Sequence, residues 1–281
     1  MIRNLLVATD GSPQSAVAVD CAFSLARRLY ARLEAVHVID SRLVDLPMAL
    51  PAFGAAAAWS GPQASSALHA ALQQRGEAIL RELESRAEKE EIPVETHLEF
   101  GNPAQVIREI QQRTELVVLG RAGEHAVAAP GMTGSTMDRV VHRAIRPCLV
   151  TPPAFAPIRK ILFATDGGAA AARARDVATD LAQALSVPMV VLSVATRASG
   201  EERARTVVEN ALSSVRAHET AAAGLALAGN PAAVILEQAK KLAADLVVLG
   251  MHGHGKMYDR LLGSTAAIVN ARAACPVLLV P

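Results

Sequence analysis

The sequence predicts an α/β protein built from two tandem domains, each a five-stranded parallel sheet with helices on both faces. Three observations carry this: the chain repeats itself, each copy alternates short apolar runs with longer amphipathic segments, and the apolar runs are continuous. LLVATDGS at 5–12 returns as ILFATDGG at 161–168, an offset of 156. Gly101-Asn102-Pro103 returns as Gly229-Asn230-Pro231, LVVLG at 116–120 as 246–250, and PCLVTP at 147–152 as PVLLVP at 276–281. The matches are collinear, and a fixed order of landmarks in two copies is the signature of a duplicated unit. The offset falls to between 128 and 130 after the second strand, so the first copy carries an insert of about 28 residues near 41–68. The expected domains are 1–152 and 158–281, joined by the stiff, proline-dense segment PPAFAP.

Taken in order, the first strand is expected at Leu5–Ala8. Its helix follows at once, because Ser12 can cap it and Pro13 sits where a missing N–H is harmless. Cys21, Leu25 and Leu29 share one face of that helix, and the second copy puts Val177, Leu181 and Leu185 there. A position that valine fills equally well marks Cys21 as packing. Ala35–Ile39 is the second strand. The insert after it holds Pro47, Phe53, four alanines from Ala55 and Trp59. It reads as a loop folded over its own domain or the other copy, and if exposed it is an apolar patch for a partner. The run Arg81–Glu91 alternates acids and bases at helical spacing beside Ile79, Leu80 and Leu83, which is a solvated helix face. Val94–Leu98, Leu116–Leu119 and Cys148–Val150 complete the strands. Unbroken Val/Leu/Ile runs mean burial on both faces, the mark of a parallel sheet covered by helices. The alternation gives a doubly wound, Rossmann-like or flavodoxin-like sheet, whose ligands bind beyond the carboxyl ends of the strands.

Composition narrows the function. There are 28 Lys plus Arg against 27 Asp plus Glu, a formal charge of +1, and so no broad positive field to gather nucleic acid. The three cysteines, Cys21, Cys148 and Cys275, are widely spaced with no CxxC pair, which fits a reducing compartment and gives no zinc site. MIRNLLVATDGS turns polar too soon for an export signal. Leu46–Trp59 is broken by Pro47, Pro51 and Gly54 and falls short of the roughly 20 residues of a membrane span. A cytoplasmic protein without membrane contact is expected.

The chemistry is expected in the loops after the fourth strands. In the second copy Leu249 and Gly250 lead into a stretch holding Gly253, His254, Gly263, Ser264 and Thr265 before a helix. Glycines let backbone N–H groups approach an anion, the helix N-terminus adds a favourable dipole, and the hydroxyls add donors. The first copy places Gly120, Gly123, Gly134, Ser135 and Thr136 likewise. A lone glycine loop more often only turns a corner; here the repetition favours binding. His252-Gly253-His254-Gly255 is partly like an adenylyltransferase histidine signature but follows the wrong strand, so it reads as loop histidines, and two histidines make no metal site. GHGKMY at 253–258 ends wrongly for a dinucleotide fingerprint.

Both halves resemble the universal stress protein family, whose nucleotide loop reads Gly, two residues, Gly, nine residues, Gly, Ser or Thr. Gly250, Gly253, Gly263 and Ser264 match it, as do the first strands ending Ala8-Thr9-Asp10 and Ala164-Thr165-Asp166, and AVHVID at 35–40. The resemblance implies ATP or a related adenine nucleotide, with Mg2+ accompanying it. Asp10 and Asp166 would approach the adenine, Val38 and Val194 would flank it, and the glycine loops would hold ribose and phosphates. It also implies pairing of the two domains through their last strands, at Leu149-Val150 and Leu278-Leu279, with a homodimer and a further protein partner as open additions.

The first copy departs from the pattern: ten residues, Glu124–Thr133, separate Gly123 from Gly134, and Glu124 and His125 stand where the second has His254 and Lys256. An added carboxylate weakens polyphosphate binding, so the second site is the expected binder. The expected function is stress-response nucleotide sensing with at most slow ATP hydrolysis, since no dedicated general base is evident. An ATP-using enzyme with a second substrate, and an interaction scaffold with relic sites, are the rival readings.

Overall fold

Strands that are apolar along their whole length need cover on both faces, and here they occupy the middle of a single sheet. The structure is a computed structural model describing residues 2–41, 62–123, 136–253 and 262–281. The first half runs β1 (Asn4–Ala8), α1 (Pro13–Leu29), β2 (Arg32–Asp40), α2 (Pro62–Lys89), β3 (Val94–Gly101), α3 (Pro103–Ile110), β4 (Leu116–Gly120), α4 (Thr136–Val141) and β5 (Cys148–Thr151). The second half repeats it with β6 (Ile161–Ala164), α5 (Ala169–Leu185), β7 (Met189–Ala195), α6 (Glu201–Arg216) and β8 (Ala222–Ala228). It ends with α7 (Pro231–Lys241), β9 (Leu246–Gly250), α8 (Ser264–Arg272) and β10 (Val277–Val280).

The ten strands form one sheet in the order β3-β2-β1-β4-β5-β10-β9-β6-β7-β8. Every neighbouring pair is parallel except β5 and β10, which run antiparallel with Leu149 opposite Leu278 and Val150 opposite Val277. Each half is therefore a parallel 3-2-1-4-5 sheet, and the last strands join the halves. Burial follows the order: β5, β6 and β10 are buried at every residue, while the edge strands β3 and β8 are only partly covered. That is why β3 carries Glu95, Glu99 and an exposed Phe100 instead of a continuous apolar run. Two cores flank the sheet. One holds side chains of α1, α2, α5 and α6, the other those of α3, α4, α7 and α8.

Local sequence explains the helix starts. Ser12 caps α1 by accepting from the Ser15 N–H at 3.2 Å, with Pro13 in the first turn. The repeated Gly-Asn-Pro is a helix-start device. Gly229 takes φ 143°, open to glycine, Asn230 accepts from the Ala233 N–H at 3.1 Å, and Pro231 opens α7; Gly101, Asn102 and Pro103 do the same for α3. The charged run on α2 is solvated as expected, apart from Arg86, which reaches Asp20 at 2.5 Å and Glu90 at 2.8 Å and lies 4.3 Å from the Phe23 ring centre.

The segment expected as an insert near 41–68 is not loop throughout. Pro62 to Leu68 are helical, so α2 has 28 residues where α6 has 16, and the first copy's extra length partly extends a helix toward the carboxyl end of the sheet. Phe53 and Trp59 lie outside the described residues. The halves also meet through two arginines. Arg28 of α1 donates to the carbonyls of Ile158 at 2.5 Å and Leu185 at 2.7 Å. Arg121, just past β4, donates to the Ala273 carbonyl at 2.8 Å and the Ala271 carbonyl at 3.4 Å, at the C-terminal end of α8. Among the described residues no helix is long and apolar enough to cross a membrane.

Candidate functional site

The winding reverses between β6 and β9 in the second half, since β6 leads outward to β7 while β9 leads inward to β10. Such a reversal leaves a crevice at the strand ends. A cleft of about 730 Å³ opens there. It is lined by Ala164 at the end of β6 with Thr165 and Asp166 just past it, Val194 on β7, Leu249 and Gly250 at the end of β9 with Gly253 just past it, and Gly263, Ser264 and Thr265 at the start of α8. These residues, far apart in sequence, share one wall. His254 lies outside the described residues.

Backbone hydrogen bonds hold the turn after β9. The Met251 N–H donates to the Val280 carbonyl at 2.7 Å, and the Gly263 N–H to the Met251 carbonyl at 2.8 Å. Gly263 is the N-cap of α8 and offers no side-chain cap, so the first amides of the helix have no intrahelical partner, an arrangement that in general suits an anion. Gly250 is required by packing: a Cβ there would lie 2.8 Å from the Ala170 carbonyl carbon and 2.9 Å from the Ala171 nitrogen, both backbone atoms of α5.

Asp166 has two distinct oxygens. Oδ1 accepts from the Gly168 N–H at 2.8 Å and so shapes the turn into α5, whereas Oδ2 faces the glycine loop, 3.5 Å from where a Gly253 Cβ would sit. One oxygen of the carboxylate thus holds the turn before α5 while the other points toward the glycine loop. Asp10 repeats the arrangement, with Oδ1 accepting from the Ser12 N–H at 3.0 Å and Oδ2 only 2.7 Å from a Gly123 Cβ position.

In the first half Ala8 and Thr9 end β1, Val38 lies on β2, Gly120 closes β4 and Thr136 opens α4. Gly134 and Ser135 lie outside the described residues. Here the space between β2 and α2 is filled differently. His37 is buried with Nδ1 2.9 Å from the Thr9 carbonyl, and a Cβ on Gly76 of α2 would come within 2.8 Å of its ring. Ser193 stands at that place in the second half and lines the open cleft.

The family model for the universal stress protein family matches residues 1–152 and 157–281. The chain belongs to the universal stress protein family. Among similar proteins, a universal stress protein of Synechocystis is 25% identical over 288 residues, covering 99% of this chain and 99% of the relative. A shorter one from Thermus aquaticus is 37% identical over 135 residues, 43% of this chain and 98% of its own length. The fold matches that of a universal stress protein crystal structure from Archaeoglobus fulgidus, with TM-score 0.75 and 18% identity over 99% of this chain and 95% of that one.

Among the cleft residues that the sequence reading of this universal stress protein missed are two arginines. Arg197 follows β7, and Arg203 lies in the first turns of α6; both line the cleft. Arg203 had a signal available, because the offset of 128 that links the two Gly-Asn-Pro motifs also links it to Arg75 of α2. Arg75 Nη2 lies 4.0 Å from the Gly11 Cβ position, so both copies carry an arginine at matching places, near the start of α6 and midway along the longer α2.

Proposed function

We propose that the second-half cleft binds ATP or a related adenine nucleotide and that the chain acts as a nucleotide-dependent sensor or regulator, with hydrolysis at most slow. The observation that carries the reading is the convergence of the glycine turn, Asp166 Oδ2, Val194 and the uncapped N-terminus of α8 on one cleft. In it the amides and hydroxyls of Ser264 and Thr265 would take phosphate, with Mg2+ held by the nucleotide's own oxygens, while Asp166 and Val194 would meet the base. A carboxylate suits the exocyclic amine of adenine because it can only accept hydrogen bonds at neutral pH. The closed packing of His37 under α2 favours the second half over the first as the binder.

Isothermal titration of the full chain with ATP tests this. Gly263→Asp places a carboxylate where phosphate would rest and should abolish binding, whereas Gly134→Asp should leave most of it. Loss with the Gly134 change alone would transfer the function to the first half. No binding to the unaltered chain at millimolar ATP would favour the scaffold reading instead.

A further inference from the structure

We propose that the second-half cleft is built for a nucleotide carrying phosphate at two separated positions, such as a nucleoside 3′,5′-bisphosphate, one group held at the N-terminus of α8 and the other by Arg197 and Arg203. This rests on the nucleotide reading above and specifies its ligand class.

The cleft has two ends that attract anions, and they lie on opposite faces of the sheet. The α8 amides belong to the side of α3, α4 and α7; Arg203 sits on α6, on the side of α1, α2 and α5. Arg197 follows β7, and β6 lies between β7 and β9, so this end stands two strand spacings, about 10 Å, from the end of β9. A phosphate chain anchored on α8 and a base laid over β6 and β7 leave the arginines for a second group. Among the described residues neither guanidinium has a hydrogen-bond or ion-pair partner, in contrast to Arg205 two residues on, which pairs with Glu201 at 3.9 Å. Asp166 is the sole carboxylate among the described lining residues, and its Oδ1 is engaged by Gly168. The arginine end is therefore net positive. A guanidinium fork matches the oxygens of phosphate with two parallel hydrogen bonds, and two such forks on a half-enclosed surface fit a dianion better than a neutral sugar or base edge. Arg75 at the matching place in the first copy shows that the position recurs.

Calorimetry on the full chain would compare adenosine 5′-monophosphate, guanosine 5′-monophosphate and adenosine 3′,5′-bisphosphate. The unaltered protein should bind the bisphosphate about tenfold more tightly than adenosine monophosphate. The double variant Arg197→Ala/Arg203→Ala should lose that preference while keeping its affinity for adenosine monophosphate within about twofold. Thermal melts of the variant control for folding, which two exposed side chains should not disturb. Equal affinity for the two adenosine ligands in the unaltered protein, or a preference that survives the double variant, overturns the proposal. So does a guanosine preference lost in the double variant, which would make the arginines readers of the base. Gly263→Asp separates the two readings. If it leaves every ligand bound, the α8 site itself is wrong; if it abolishes binding while the double variant changes nothing, only the second-phosphate assignment fails.

Discussion

At the scale of single residues, the glycines of the turn after β9 do different jobs. At Gly250 a methyl group would meet backbone atoms of α5 that cannot step aside. Gly250→Ala should therefore destabilise the chain by about 2 kcal/mol in urea unfolding. Among the described residues, a Cβ at Gly253 meets only Asp166 Oδ2, at an ordinary 3.5 Å. Gly253→Ala should leave stability within about 0.5 kcal/mol and weaken ATP binding, because the backbone can no longer come as close to the ligand. Burial is the largest influence on each cysteine thiol and the sole one at Cys148. Cys148 is fully buried and desolvation pushes its thiol from the ordinary 9.0 up to about 12. The charged thiolate is then favoured only in the unfolded chain between those values. This contribution is intact below pH 9 and is lost as pH rises toward 12. Cys148→Val should flatten part of that alkaline loss in urea midpoints measured from pH 8 to 11.

At the scale of elements, repetition made most of the structure legible. The continuous apolar strands and the helix start at Ser12 read correctly because each carries its own physical signal within a few residues, whereas Gly-Asn-Pro stood out in the sequence only as a repeated landmark and its helix-start role came from the structure. Asn230→Ala should remove a cap and lower stability by about 1 kcal/mol, seen as a lower urea midpoint. The edge strands were harder, since half-covered β3 mixes acids with apolar residues and resembles a loop as much as a strand. The start of α2 was not legible: Pro62 falls inside a segment without a counterpart in the second copy, so comparison had nothing to align. Arg203 was passed over for a related reason. An arginine in an amphipathic helix looks like surface until the helix is placed beside a cleft. Arg28 and Arg121 could not be anticipated, because their partners lie 130 or more residues away and are backbone carbonyls, which leave no trace in side-chain pattern.

At the scale of the whole molecule, β5 and β10 turn two five-stranded sheets into one, and the arginine contacts add cation-to-helix-end pairing across the same join. The location of that seam was legible through the family resemblance; its register was not, because the paired residues, Cys148 to Val150 and Val277 to Leu279, are all apolar and present no distinctive partner. Since both strands belong to one polypeptide, their meeting does not depend on the supply of a second chain. The melting temperature should stay constant within about 1 °C over a hundredfold dilution. A concentration-dependent melt would instead reveal an assembly of several chains that contributes to stability.

The seam also separates the fates of the two clefts. When an α/β pair forms from identical polypeptides, any codon change alters both sites at once and neither can specialise alone. With both halves in one reading frame, His37 can pack under α2 in one half while Ser193 lines the cleft of the other, and the first half still serves as the permanent neighbour that keeps β10 from becoming an edge. A single gene thus lets the halves diverge residue by residue while the joined sheet is kept.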